Sequence, residues 1–537
     1  GLGGYHLAVD AQNDKAVLSL RKRKQREEKP FALMSADIDC IQDYARVEVE
    51  EERLLTSIQR PIVLLHKKEP NIISPEVAPR NRYFGVMLPG TPLHYLLFNY
   101  DFTALVMTSG NLSEEPIAID NEDAFRRLAG IADYFLIHDR DIYLRSDDSI
   151  VRRSAADNRM IRRSRGYVPV PVFLKKKLPP ILACGAELKN TICITRDNLV
   201  FVSQHIGDLE NMATLEFFRL TIRHMKRILE VEPEMIAHDL HPDYLSTRWA
   251  MEQQDIPKIP IQHHHAHIVS AMAEKKIDGP VIGLAFDGTG YGSDHTVWGG
   301  EVLIAEEKTF TRAAHFDCVP MPGSAAAIRQ PWRMALSYLQ AAFGEDLRNL
   351  DIPLLASIEK SRQKIILEMI TKRVNAPLTS SLGRLFDGVA AIVGLRNEVA
   401  FEGQAAMELE MTAEGTPDKI YEFDWQEDED LKIFTQPIIR GVVEDVTSGV
   451  RPAMISAKFH YTLIRLFCEL CDRIRKASSL NRVVLSGGVF QNSILLSGTI
   501  RALEEKNFAV YTHRLVPTND GGICLGQAVI AAAIAGQ

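Results

Sequence analysis

Short apolar runs alternate along the chain with segments whose apolar residues return every three to four positions, the pattern of an α/β protein. In residues 1–166, Pro61-Ile62-Val63-Leu64-Leu65, Thr103-Ala104-Leu105-Val106-Met107 and Tyr134-Phe135-Leu136-Ile137 read as strands between helical segments. Residues 166–185 hold four prolines and a lysine triplet, and a domain boundary is expected there, dividing the chain into 1–170 and 171–537. Beyond it, 192–195 and 199–203 read as a hairpin around Arg196-Asp197-Asn198, followed by a long helix over about 209–231 and a mostly helical stretch over 325–400. Val483-Val484-Leu485-Ser486-Gly487-Gly488 is a strand breaking into glycines. Glycine-ended strands at widely separated places are the mark of a two-lobed nucleotide fold.

One segment departs from this alternation. Gln262-His263-His264-His265-Ala266-His267, if helical, sets His263 and His267 one turn apart on one face. The strand expected at 281–290 ends in Asp287-Gly288-Thr289-Gly290, and Asn519-Asp520-Gly521-Gly522 is available near the carboxyl end. Two imidazoles with one or two carboxylates suit a divalent cation such as Fe, Zn, Mn or Mg. Glycines in the DGTG turn let backbone N–H groups approach phosphate oxygens. Ser486-Gly487-Gly488-Val489-Phe490-Gln491-Asn492 offers flat access for an adenine or ribose at Gly487 and Gly488, with Asn492 in hydrogen-bonding reach.

A second concentration of chemistry lies early in the chain. Residues 21–29, RKRKQREEK, hold six basic and two acidic residues ahead of an apolar strand, a cluster able to grip a triphosphate. Thr108-Ser109-Gly110-Asn111-Leu112-Ser113 closes an apolar strand with small hydroxyl and amide groups suited to phosphate or acyl oxygens. Residues 145–165 carry seven arginines against three aspartates.

At 537 residues the chain exceeds a single core. Its 46% hydrophobic and 25% charged residues are those of a globular enzyme, and a net charge of -8 excludes a bulk nucleic-acid binder. The seven cysteines are scattered, with Cys468-Glu469-Leu470-Cys471 as the sole CxxC on an apolar-faced helix, so neither a disulfide framework nor a four-cysteine zinc site is expected. That pattern points to a reducing cytoplasm. No apolar run approaches the roughly 20 residues that span a bilayer, so no membrane partner is expected. The chain opens on Gly1-Leu2-Gly3-Gly4 without Met and reads as a fragment of something longer.

Gly4-Tyr5-His6-Leu7-Ala8-Val9-Asp10-Ala11, Lys24-Gln25-Arg26 with Lys29-Pro30, the TSGNLS segment and Asp147-Asp148-Ser149-Ile150-Val151 together resemble a YrdC-type domain, which adenylates a carbamate-like acid with ATP. The resemblance implies that Lys24, Arg26 and Lys29 contact phosphates, that Lys24 and Arg26 are catalytic as pyrophosphate leaves, and that Ser109, Asn111 and Arg163 line the nucleotide pocket. Gly3-Gly4 stands where many stand-alone members carry threonines. The set of 185–191 (GAELKNT), HHHAH, DGTG, Phe386-Asp387-Gly388, Phe401-Glu402-Gly403-Gln404, SGGVFQN and NDGG resembles the TsaD branch of the actin-like (ASKHA) ATPase superfold. It implies that His263, His267 and Asp520 ligate metal, that Asp387, Gly403 and Asn492 contact nucleotide, and that Gly288 with Thr289 contacts phosphate or the carbamoyl group. TsaD-like proteins usually have Ser at the position of Asp287, which here adds a further ligand.

A YrdC-like α/β domain followed by a two-lobed actin-like domain, with 381–395 (SLGRLFDGVAAIVGL) and FEGQAAMELE, closely resembles the HypF family. That implies carbamoyl-adenylate formation from ATP and carbamate, itself derived from carbamoyl phosphate by an acylphosphatase-like module absent from this sequence, as are the family's zinc fingers. Transfer to the carboxyl-terminal Cys of a HypE-like acceptor follows, for the cyanide ligands of [NiFe]-hydrogenase. The rivals are an antibiotic-type O-carbamoyltransferase, a tRNA threonylcarbamoyl-adenosine enzyme, and a non-catalytic nucleotide-binding scaffold.

Overall fold

The computed structural model describes residues 1–112 and 115–536. The chain packs as two compact units, Gly1–Ile259 with Arg514–Ala528, and Pro260–His513 with Val529–Gln537.

The first unit holds two sheets. A seven-stranded sheet runs His6–Asp10, Leu105–Ser109, Ala32–Met34, Tyr83–Met87, Ile62–His66, Ile150–Ser154, Asp157–Arg162. Its core packs Leu7, Val17, Leu20, Phe31, Leu33, Val63 and Val106. The helix Asp14–Lys24, capped by the Asn13 side chain, buries Val17, Leu20, Arg21 and Lys24 along one stripe. The i, i+3, i+4, i+7 spacing that drives the helix onto the sheet therefore carries two cations into the interior with it.

The second sheet orders Lys258–Ile261, Met235–Asp239, Ile181–Ala183, Cys193–Val202, Val172–Leu178. Residues 166–185, read as a boundary, supply two of these strands: Val172 and Leu174 alternate onto one buried face, and Ile181, Leu182 and Ala183 are buried on both faces. Cys193–Val202 folds back at Asp197, whose φ is 55°, so that the Ser203 N–H reaches the Ile192 carbonyl at 2.8 Å, as a hairpin does. The helix Met212–Leu229 covers this sheet through Leu215, Phe218, Ile222 and Met225.

The apolar run at 134–137 forms no strand. Tyr134 is 93% exposed and Leu136 64%, and Phe135 alone is anchored, its ring 4.8 Å from that of Phe125. Without a neighbouring strand to pair with, apolar character alone does not make one.

The second unit is built on a nine-stranded sheet whose main path is Asp424–Glu427, Leu431–Phe434, Phe310–Phe316, Val297–Ala305, Val281–Tyr291, Arg482–Ser486, Ala509–Thr512. Val281–Tyr291 lies antiparallel to Val297–Ala305 and parallel to Arg482–Ser486. Its register with Val297–Ala305 breaks between Phe286 and Gly290, so the irregularity falls on Asp287, Gly288 and Thr289. The helix His263–Lys275 packs on this strand and is buried nearly all round. Among the described residues no helix is long and apolar enough to cross a membrane.

Candidate functional site

In the first unit Lys24 ends its helix at 2% exposure. Its ammonium donates to the Ser109 carbonyl (2.8 Å), the Asn111 carbonyl (2.5 Å) and Asn111 Oδ1 (2.7 Å). Ser109 Oγ donates to the same Oδ1 at 2.7 Å. The small polar residues closing the strand Leu105–Ser109 thus form a cage for one buried cation; Ser113 of that segment lies outside the described residues. Burial, then the charges of Arg26, Lys29 and Arg127, push the Lys24 ammonium down to about 7.

The loop after the helix is shaped by Arg21, whose guanidinium donates to the carbonyls of Arg26 (3.0 Å), Glu27 (3.0 Å), Lys29 (3.2 Å) and Val77 (3.1 Å) and stacks 4.5 Å over Phe31. Arg26 closes the same loop, donating to the carbonyls of Lys29 (3.0 Å) and Pro30 (2.5 Å). Burial, then Arg21 and Arg162, lower Arg26 to about 9; burial, then Arg26 and Arg162, lower Lys29 to about 8. Lys29 remains solvent-accessible there, as a residue ready for an anion must be.

Arg163 departs from its expected place in the pocket. It is 4% exposed and donates to the carbonyls of Val202 (3.2 Å), Tyr167 (3.1 Å) and Val170 (2.5 Å), which ties the two sheets of this unit together. Its neighbour Arg162 instead acts on Arg26 and Lys29 and lies 4.0 Å from Asp147. Of the paired aspartates, Asp148 is bound by Arg165 (2.7 Å) and His6 (3.3 Å). Asp520 also belongs to this unit, in a short 3-10 turn whose Asn519 side chain accepts from the Gly521 N–H at 3.0 Å and donates to the Ile161 carbonyl at 3.1 Å.

In the second unit the helix His263–Lys275 starts on a Gln262 side-chain cap and points its first turn at the bulge of the central strand. His263 and His267 are 0% and 1% exposed, with ring centroids 5.0 Å apart. Their Nε2 atoms converge on Asp287 Oδ2, His267 at 2.9 Å and His263 at 3.9 Å. Burial alone would raise the Asp287 carboxyl, yet the two imidazoles hold it well below the ordinary carboxylate range. Two imidazole nitrogens and a carboxylate oxygen, all buried with ligand atoms within 4.8 Å of one another, match the donor set of a divalent cation. Gly290 leaves room for the rings: a Cβ there would lie 2.4 Å from His264 and 2.8 Å from His263.

The turn differs from expectation in one respect. The Gly288 N–H, expected at a phosphate, donates to Asp287 Oδ1 at 2.7 Å, so it orients the carboxylate. Gly487, with φ +102° and a hypothetical Cβ 2.1 Å from the Phe286 carbonyl oxygen, admits no side chain and lets the two glycine turns abut. Gly488 opens the following 3-10 turn. Gly403 holds φ +73° at the start of the helix Gln404–Thr412, with open space where a Cβ would stand. Asp387 lies buried within the helix Leu382–Ile392, its carboxylate 3.0 Å from Arg384 and pushed up to about 6, chiefly by burial.

Asn492 is expected at the nucleotide but its amide has structural duties. Oδ1 caps the helix Ser493–Glu505 at the Leu495 N–H (3.0 Å), and Nδ2 lies 2.8 Å from His460 Nε2, whose ring donates from Nδ1 to the Ser456 carbonyl (2.7 Å). Asn492→Ala is expected to cost about 1–2 kcal/mol through the lost cap, read as a lower Tm, with nucleotide affinity changed little.

Residues not foreseen also converge here. Glu301, fully buried, accepts from the Gly299 and Gly300 N–H groups (2.6 and 2.7 Å), Arg312 (2.8 Å) and Ser380 (2.5 Å), and lies 3.8 Å from His264 Nε2. It braces the strand facing the bulge. Ser486 Oγ lies 2.7 Å from His513 Nε2, and His513 Nδ1 is 3.9 Å from Glu274. Ser486 is 0% exposed, so this series anchors the glycine turn to the histidine helix and offers no accessible nucleophile.

A family model described as carbamoyltransferase, Kae1-like domain, second subdomain, matches residues 283–527, the HypF Kae1-like domain matches 176–274, and the Sua5–YciO–YrdC model, described as telomere recombination, matches 1–164. Carbamoyltransferase HypF2 of Cupriavidus necator is 40% identical over 580 residues, covering 99% of this chain and 71% of that protein. Carbamoyltransferase HypF of Synechocystis is 40% identical over 547 residues, covering 98% and 70%. The crystal structure of a full-length HypF in its phosphate- and nucleotide-bound form superposes with a TM-score of 0.96 at 46% identity, covering 99% of this chain and 70% of that one.

Proposed function

The chain belongs to the HypF carbamoyltransferase family, and from that premise we propose that it joins carbamate to ATP in its first unit and passes the carbamoyl group to a cysteine thiolate in its second. It is a carbamoyltransferase of mixed α/β build, with a YrdC-like domain followed by Kae1-like domains. We assign adenylation to residues 1–170 and transfer to 171–537.

In adenylation a carbamate oxygen attacks the α-phosphorus of ATP, the P–O bond to the β-phosphate breaks, and pyrophosphate leaves. Lys24, Arg26 and Lys29 offer the positive charge this departure needs, and Arg162 adds to it. Lys24, held between Ser109 and Asn111, brings its charge without reorganisation at the moment of reaction. In transfer, the acceptor sulfur attacks the carbamoyl carbon, the C–O bond to phosphate breaks, and AMP departs. His263, His267 and Asp287 are the residues that would hold the cation. Held there, it would supply Lewis acidity toward the carbonyl or neutralise phosphate charge. The acceptor is a HypE-like protein with a carboxyl-terminal Cys, and the product serves hydrogenase maturation.

The observation that carries this reading is the buried convergence of His263 and His267 on Asp287, in the same chain as the caged Lys24. Adenylation is tested by exchange of radiolabelled pyrophosphate into ATP, with carbamate released in place from carbamoyl phosphate by a separate acylphosphatase. Carbamate-dependent exchange is expected; exchange absent, or indifferent to carbamate, contradicts it.

The depressed lysines add a pH signature. With Lys24 near 7 and Lys29 near 8, both are largely neutral somewhat above those values, and a bound polyphosphate raises their proton affinity. ATP binding at about pH 8 therefore takes up protons, and affinity falls as pH rises from 7 to 8. Calorimetry in buffers of different ionisation heat reads the uptake, and Lys24→Arg, which does not titrate there, lowers it.

A further inference from the structure

We propose that Arg384 holds a nucleotide phosphate in the second unit, against the turn Asp287-Gly288-Thr289; the identification of that phosphate as the carbamoyl-adenylate's rests on the function proposed above. The helix Leu382–Ile392 is bolted to this turn by Ser381, whose Oγ donates to the carbonyls of Asp287 (2.8 Å) and Gly288 (2.7 Å) and caps the Arg384 N–H (3.2 Å). Gly383 makes the approach feasible, since a Cβ there would stand 2.8 Å from the Gly288 Cα. The turn and the backbone of Arg384 are therefore one rigid piece.

The side chain is 4% exposed, yet it is incompletely used. Nη2 lies 3.0 Å from Asp387 Oδ2, whereas Nε and Nη1 have no hydrogen-bond partner among the described residues. A guanidinium stays charged and offers five N–H donors, so burying it with two nitrogens unsatisfied is costly unless an acceptor arrives. The room for that acceptor is beside Gly288. Beyond Gly288 and its two chain neighbours, Arg384 Nη2, at 3.5 Å, is the sole heavy atom of the described residues within 4 Å of the point where a Gly288 Cβ would stand. The carboxylate facing Arg384 is a weak counterion: burial and the nearby Glu402 push Asp387 up to about 6, against the pull of Arg384.

An oxyanion with several acceptor oxygens meets this demand, and a phosphate set against a glycine turn does so without displacing a side chain. The nearest alternative is a purely structural Arg384 that orders Asp387 within its own helix. That role would affect the pocket as a whole and would not distinguish ligands with a phosphate from those without.

The two are separated by titrating AMP and adenosine into the whole chain carrying Lys24→Met, which weakens nucleotide binding in the first unit. Adding Arg384→Met is expected to lower AMP affinity about ten- to a hundredfold and to leave adenosine affinity unchanged. Arg384→Lys, which keeps the charge and loses the planar fork, is expected to fall between them, and it carries the test if the Met variant fails to fold. Absence of AMP binding by the Lys24→Met protein, or equal losses for AMP and adenosine, overturns the proposal. An Arg384-dependent preference for AMP in a protein that transfers no carbamoyl group upholds the phosphate site while refuting the reaction assigned to it.

Discussion

Replacing His263 and His267 together by Ala abolishes carbamoyl transfer and leaves carbamate-dependent pyrophosphate exchange standing. The two imidazoles are the donors that hold Asp287 ionised inside the protein. Without them the carboxylate loses the His267 hydrogen bond, the nearby His263 imidazole and any cation it shares with them, and keeps the Gly288 N–H at 2.7 Å. Lewis-acid stabilisation by a bound metal is worth several kcal/mol, so transfer is expected to fall by about a thousandfold or more. Metal content, measured by mass spectrometry of the purified protein, should fall in parallel. Because both side chains are buried, the double variant also leaves a cavity, and a melting curve accompanies the assay. Asp287→Asn, nearly isosteric, provides a second variant whose loss of transfer is not a loss of packing. Full transfer by a metal-free protein would remove the cation from the account.

The complementary variant, Lys24→Met, is expected to abolish adenylation and spare transfer from adenylate supplied directly. Met fills the channel of the lysine stem but brings no charge to the phosphates. Loss of one preorganised charge donor costs about a hundred- to a thousandfold in rate. The Asn111 Oδ1 and the carbonyls of Ser109 and Asn111 lose the ammonium they share, which adds about 1–3 kcal/mol of destabilisation. Pyrophosphate exchange and the melting temperature read the two effects separately. A Lys24→Met protein that exchanges pyrophosphate at the native rate would displace Lys24 from the reaction. Together with the histidine variant it divides the two half-reactions between the two units.

Much of this arrangement is legible in the residues. The spacing of His263 and His267 and the small polar residues after Val106 and Met107 each specify local chemistry that the fold then assembles, whereas Asp287, expected at a strand end, lies at a bulge inside the strand Val281–Tyr291. What is not legible depends on which way a side chain turns. Arg162 and Arg163 are consecutive at the end of a strand, and period-two alternation sends one toward Arg26 and Lys29 and the other into the interior. A run of arginines contains both outcomes. Asn492 follows a strand and glycines, as a ligand-binding residue would, but it also precedes a helix, and capping takes its Oδ1 while His460 takes its Nδ2. Arg384 and Glu301 were hidden for the opposite reason: each is a charged residue in an ordinary helix or strand pattern, and only burial shows that they face inward. The strands within the proline-rich stretch at 166–185 are not legible, because Pro169, Pro171, Pro179 and Pro180 flank them rather than replace them.

The central claim is that one chain makes a carbamoyl-adenylate and spends it on a thiol. Its most direct test is mass spectrometry of a HypE-like acceptor after incubation with this protein, ATP, carbamoyl phosphate and a separate acylphosphatase domain. The predicted result is an acceptor heavier by one carbamoyl group on its carboxyl-terminal Cys, dependent on ATP and with little transfer when the acylphosphatase is omitted. An acceptor of unchanged mass while ATP is being cleaved to AMP and pyrophosphate in a carbamate-dependent way, or a mass gain that does not require ATP, would contradict it.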